Sequence, residues 1–237
     1  MSQESSIDTS QPLPVLFLEK YTKTFKDMIT KLKKQHGIIS PANIIFAKDC
    51  SRNMIWRMKH YPDYKSTRDD VKRAQTLHKD IFEYTFTHVL PQIKEVTIVS
   101  HPRLEADDCI ALMVKHIRNT LQKLTDVIII TNDNDYVQLH IYNVELINLQ
   151  GKSLFDRIDD VPTYIELKRI MGDTSDNIPA IAPKIGPKTA QQLINSPEKL
   201  SKRLESEECR RRYELNKLLV HFDCIPDEYV CQYIATI

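Results

Sequence analysis

A chain of 237 residues, 41% of them hydrophobic, can bury a substantial core as one large domain or as a domain with a small appendage. Its net charge of +1 excludes a protein that recognises its partners through bulk charge alone. Cys50, Cys109, Cys209, Cys224 and Cys231 include no CxxC pair, which excludes a structural zinc site and predicts reduced thiols in an intracellular compartment.

In chain order, Met1–Pro14 is polar and expected to be loosely ordered. Val15–His36 carries Leu18, Phe25, Ile29 and Leu32 on one helical stripe, and Gly37 ends it in the usual position after a helix. Four short β-branched runs follow, Ile44–Ala47, Val96–Val99, Val127–Ile130 and Val144–Ile147, with helical patterns between them. That alternation predicts an α/β fold with a mostly parallel central sheet flanked by helices, its strands buried on both faces. Tyr61–Lys72 is charged and aromatic without periodicity and reads as an excursion from the core. A helical lobe begins near Val161, so the expected division is a poorly ordered 1–14, a core over 15–160 and a helical region over 161–237. No apolar run is long enough to span a membrane, and no charged-then-apolar leader is seen.

Charge is unevenly distributed. Lysine and arginine concentrate in Arg52–Arg73 and Lys184–Lys217, either as solvated helix faces or as contact surfaces. Acids bunch instead just beyond apolar sequence: Asp49, then Glu105, Asp107 and Asp108, then Asp133 and Asp135, then Asp173 and Asp176. In open α/β sheets the site lies outside the carboxyl ends of the strands, where Asp49, Asp133 and Asp135 fall. Each acid also has a plain structural reading as a helix cap or turn former, and Asn132-Asp133-Asn134-Asp135 suits a turn well. Carboxylates gathered by a fold repel one another unless divalent cations neutralise them, and an all-oxygen set suits Mg²⁺ or Mn²⁺. Such a cluster suggests two-metal phosphodiester chemistry.

The segment from Met171-Gly172-Asp173-Thr174-Ser175-Asp176-Asn177-Ile178-Pro179 to Lys184-Ile185-Gly186-Pro187-Lys188-Thr189-Ala190 resembles the helix–three-turn–helix of the 5′ nucleases. That family includes the 5′-exonuclease domain of DNA polymerase I, the flap endonucleases and phage RNase H. Thr131–Leu139 is similar to its strand-end motif, Leu104–Asp108 to its acidic helix start, and Arg212–Asp227 to the phage RNase H branch. The resemblance covers roughly Asn43–Tyr229 and implies a Mg²⁺-dependent 5′ nuclease. It would act on DNA or RNA·DNA hybrid with a 5′ end or flap, holding two Mg²⁺ or Mn²⁺ and working as a monomer, with replication proteins as further partners.

The resemblance also assigns residues. Asp49, Glu105, Asp107, Asp108, Asp133, Asp135, Asp173 and Asp176 carry over as metal ligands, and Asp8, in Ile7-Asp8-Thr9-Ser10-Gln11, stands where the family's first ligand is sought. Met1–Ser6 is no strand sequence, so that first strand is remodelled or the match is coincidence. Arg57, Lys65 and Arg68 fit the pattern whose cations reach the scissile phosphate, and Tyr61–Lys72 corresponds to the arch that the 5′ strand threads. Trp56 either stacks a base or packs in the core. Lys184, Gly186, Lys188 and Thr189 correspond to the unit that grips duplex DNA, often around K⁺, although Pro183 interrupts its small-residue pattern. Gly186 allows close backbone approach, and the helix start behind it offers N–H groups to a phosphate. Two rival readings stay open: a nucleic-acid-binding member that no longer cuts, and a PIN-like nuclease of RNA.

Overall fold

A computed structural model describes residues 15–38, 43–67, 75–121, 126–155 and 160–237, with the side chains of 75–78 and 121 excepted. Asp8, Arg68 and the far end of the Tyr61–Lys72 excursion lie outside the described residues. The chain divides into two compact units, Met1–Phe46 with Asp69–Ile98, and Ala47–Arg68 with Val99–Ile237.

In the first unit, helix α1 (Val15–Gln35) buries Ile29 and Leu32 and sets Phe25 against Phe46, ring centroids 6.0 Å apart. Gly37, at φ 61°, closes it as expected. Ile38 N–H donates to the Lys33 carbonyl at 2.9 Å and Gly37 N–H to the Lys34 carbonyl at 3.4 Å, so the last turn keeps its acceptors satisfied. Helix α2 (Gln75–Tyr84) runs into a π-helical turn, Thr85–Val89, in which Val89 is fully buried. The Thr85 hydroxyl lies 2.7 Å from the Tyr21 hydroxyl of α1.

The four apolar runs become strands β1 (Ile44–Lys48), β2 (Val96–Ser100), β3 (Ile128–Ile130) and β4 (Glu145–Ile147). Among the described residues β1 pairs with β2, and β3 pairs with β4 in parallel, Ile129 opposite Leu146. Burial on both faces holds for Leu146 and Ile147 but not throughout: Ile98 and Ile130 are each 37% exposed. Successive strand residues point to opposite faces, so Val99 is covered while its neighbour Ile98 is not. The link from β3 to β4 is a 3₁₀ segment, Asn134–Tyr142, where a crossover helix would be usual.

The second unit adds α3 (Ala106–Leu121), α4 (Val161–Met171), α5 (Pro187–Ile194), α6 (Pro197–Leu204), α7 (Glu207–Val220) and α8 (Asp227–Ile234). Helix α4 starts at the expected place because the Asp160 carboxylate accepts from Thr163 N–H at 3.0 Å. It stops at Gly172, φ 72°, where a Cβ would stand 2.1 Å from the Ile178 carbonyl oxygen. Ile170, Ile181, Ile185, Ala190, Leu193 and Tyr213 form the core of this helical region. Buried Asn216 of α7 donates to the carbonyls of Arg169 (3.0 Å) and Pro179 (2.9 Å), which fixes the turn after Gly172 against two helices. Among the described residues no helix is long and apolar enough to cross a membrane.

Candidate metal centre

All the described site residues lie in the second unit. Asp49 follows β1, and its Oδ1 accepts from Ala106 N–H at 2.8 Å, so this carboxylate caps α3. Acids at a helix start are favoured by its free N–H groups, which is why Asp107 and Asp108 are tolerated in the same turn. Glu105, Asp107 and Asp108 each offer a carboxylate oxygen within 4.8 Å of the others. Asp108 is fully buried and Glu105 is 3% exposed.

What holds Glu105 and Asp108 is Arg57. Its guanidinium, 2% exposed, donates to both oxygens of Asp108 at 2.8 Å and to Glu105 at 2.9 Å, while Nε donates to the Leu219 carbonyl at 2.8 Å. Trp56, fully buried, donates Nε1–H to Asp108 at 3.0 Å. In this arrangement the Arg57 donors go to carboxylates and to the Leu219 carbonyl, and Trp56 packs in the core, one of the two readings open for it.

Tyr64 and Lys65 bring in the third acidic segment. The buried Tyr64 hydroxyl donates to Glu105 at 3.1 Å and to Asp176 at 3.2 Å. Lys65 sits at φ 56°, its N–H on the Asp176 carbonyl at 2.8 Å and its ammonium on Glu105 and 3.7 Å from the Asp176 carboxylate. Burial would lower the Lys65 pKa, but Glu105, Asp176 and Asp107 outweigh it and hold it above the ordinary lysine value. Asn177 Nδ2 donates to the Asp63 carbonyl at 2.8 Å and the Ser66 hydroxyl at 2.7 Å, stapling this basic segment to the turn that carries Asp173 and Asp176.

Asp133 and Asp173 both behave as turn acids: each takes the N–H two residues on, at 2.9 Å from Asp135 and 2.8 Å from Ser175. The cap reading and the site reading thus describe the same residues. Asp135 and Asp173 are joined by Lys168, whose ammonium contacts Asp135 Oδ1 and lies 2.7 Å from Asp173 Oδ2. Desolvation raises the Asp135 carboxyl despite Lys168. At Asp173 desolvation is outweighed by hydrogen bonds from Lys168 and Ser175, and the pKa falls below the ordinary carboxylate value.

Tyr64 thus links the first acidic segment to the third, and Lys168 the second to the third. Asp107 is driven well above the ordinary carboxylate range, first by desolvation and then by Asp108 and Glu105. Tyr136 is raised by burial and by Asp107, Asp133, Asp49 and Asp108 together. Asp135 feels Asp133 and Asp173, and Tyr64 feels Glu105, Asp176 and Asp107. Arg57, Lys65 and Lys168 are too few to neutralise these carboxylates, and the donor set is all oxygen, which fits Mg²⁺ or Mn²⁺. Lys184 (φ 62°) and Lys188 are exposed and Thr189 is partly buried, while Gly186 caps the start of α5 with open space where a Cβ would be. Sequence reasoning missed Tyr64 as a carboxylate partner, Tyr136, Tyr164 and Lys168; only tertiary contacts reveal them.

Residues 6–165 match the 5′-3′ exonuclease N-terminal resolvase-like domain, and the chain belongs to that family of 5′ nucleases. It is 31% identical over 156 residues to DNA polymerase I of Treponema pallidum, covering 59% of this chain and 14% of that one. It is 31% identical over 186 residues to a 5′-3′ exonuclease of Buchnera aphidicola, covering 73% of this chain and 57% of that protein. The chain thus spans only part of the length of these relatives. The fold is similar to that of the phage T5 flap endonuclease solved as a pseudo-enzyme-product complex with DNA and metal ions, with a TM-score of 0.64 and 20% identity, covering 93% of this chain and 89% of that one.

Proposed function

We propose that this chain is a Mg²⁺-dependent, structure-specific 5′ nuclease that cuts DNA or RNA·DNA hybrid at 5′ ends and flaps by two-metal hydrolysis. The observation that carries the reading is the trio Glu105, Asp107 and Asp108, with Asp49 bonded to Ala106 N–H and Asp176 sharing the Tyr64 hydroxyl with Glu105; Asp133, Asp135 and Asp173 complete the proposed set. These carboxylates would hold two Mg²⁺ or Mn²⁺, which supply an activated water and shield the phosphate charge. Arg57 and Trp56 fix the ligand carboxylates in place. Lys65, over the Tyr64 ring at 5.0 Å, provides the positive group for the scissile phosphate, with Arg68 and Asp8 as further candidates. The division into a nuclease core (15–160) and a helical region (161–237) containing a helix–three-turn–helix belongs to the same proposal. So do a monomeric state, an intracellular setting in primer removal with replication proteins, and K⁺ near Gly186.

The test is cleavage of labelled flap, nick and hybrid substrates with and without Mg²⁺, beside a variant with both Asp133 and Asp135 changed to Asn. Wild-type rates from that variant would remove the assignment. One observation favours the rival reading of a binding member that no longer cuts: cations already sit on Glu105, Asp108, Asp135 and Asp173. Retained flap binding with no Mg²⁺-dependent cutting would decide for it.

Lys188 and Lys184 are assigned to duplex DNA. Lys188→Ala should lower the slope of log affinity against log salt by about 0.9, the share of one phosphate contact, and leave the rate at saturating substrate nearly unchanged. A salt slope equal to that of the parent would return Lys188 to the solvated surface.

A further inference from the structure

Lys168 has no part in the motifs above, yet it occupies the position between two candidate ligands. It lies in the last turn of α4, the turn that Gly172 ends, so the helix fixes where its side chain starts. Its side chain is 13% exposed and the side chains of Asp135 and Asp173 are 19% and 13% exposed, so all three charges are largely withdrawn from solvent. The ammonium bridges the carboxylates, and the Tyr164 ring lies 5.5 Å away with its hydroxyl 3.4 Å from Asp135 Oδ1. No other side chain in the described site spans both acids.

We propose that Lys168 is a built-in counter-cation that keeps Asp135 and Asp173 together before a divalent ion binds and competes with that ion for them. The inference rests on the metal-dependent reading above and adds to it a competitor for one pair of ligands. An ion entering between Asp135 and Asp173 must displace the ammonium or bind beside a positive charge. Either way Lys168 weakens the ion's hold on these two carboxylates. Lys168 here is a positioning residue, acting through the ligands and not on the substrate.

The test is Mn²⁺ titration of the full chain by calorimetry, beside Lys168→Gln and Lys168→Arg. A glutamine amide keeps two N–H donors but carries no charge, whereas arginine keeps the charge. Lys168→Gln should tighten Mn²⁺ binding at Asp135 and Asp173 by about tenfold or more, since an opposite charge at this range is worth about one to three pK units to a carboxylate. It should also melt earlier than the parent without metal and recover in saturating Mn²⁺, while Lys168→Arg stays close to the parent in affinity. Parent-like Mn²⁺ affinity in a folded Lys168→Gln protein overturns this proposal alone. Absence of Mn²⁺ binding in the parent and both variants overturns the metal reading and this proposal with it. Should Lys168→Gln not fold, the ¹⁵N resonance of the Lys168 ammonium in the unaltered chain decides: it should shift as Mg²⁺ is added, and a resonance that stays in place overturns the proposal.

Discussion

Arg57→Met should lower the unfolding midpoint by roughly 6–20 °C, the largest stability loss expected from any single change at this site. Asp108 is fully buried, and the guanidinium supplies hydrogen bonds to both of its oxygens. Removing one partner of a buried pair leaves the other charge uncompensated, at a cost of about 3–5 kcal/mol. For a chain of this size each kcal/mol moves the midpoint by about 2–4 °C. Glu105 loses a donor in the same step, and the Leu219 carbonyl loses its Nε–H, so the cost is not confined to one contact. Arg57→Lys keeps a charge but not the planar fork, and should recover less than half of the loss. Thermal melts followed by circular dichroism measure both; a drop below about 3 °C in Arg57→Met would mean that the site is held by something else.

Asp107→Asn should do the opposite to stability while nearly abolishing cutting. The amide oxygen can keep the bond that Asp107 Oδ1 accepts from Asp108 N–H at 2.8 Å, so the first turn of α3 is retained. The folded chain raises this carboxyl well above its ordinary value, chiefly by desolvation. A raised folded-state pKa means the native state binds the proton more tightly. The group therefore favours folding in acid and disfavours it as pH climbs through the window from about 3.9, the unfolded value, to the raised one. Without metal, Asp107→Asn should be the more stable protein at pH 7, and its advantage should fade as pH falls toward about 4. Mg²⁺ should stabilise the parent more than the variant, because the amide brings no charge to neutralise the ion. Cleavage should fall more than about 100-fold, beyond what loss of a supporting contact around a metal costs. Equal cutting, or equal response to Mg²⁺, would take Asp107 out of the ligand set.

Much of this was legible locally. The β-branched runs mark the strands to within about a residue, because a strand's signature is carried by its own side chains. Gly37 acts within a few residues of itself, as a helix end does, and the acids stand where strands end or helices begin. Other features depend on residues far away in sequence. Arg57 reads as one cation of a basic segment; its bonds to the Leu219 carbonyl and Asp108 are announced by nothing near residue 57. Lys168 reads as one more lysine on a helix; its meaning comes from Asp135, 33 residues earlier, and from a turn that brings Asp173 back beneath it. The exposure of Ile98 and Ile130 could not be read from composition either, since apolar runs do not say which face will be covered.

Gly172 has no functional group, yet a methyl there would have to push aside the backbone at Ile178 and Pro179, which carries the turn between Asp173 and Asp176. Damage at this position would look chemical although its cause is purely spatial. A random search for inactive variants should recover Gly172 beside the acids themselves, and the proteins it yields should be folded elsewhere but poorly loaded with metal.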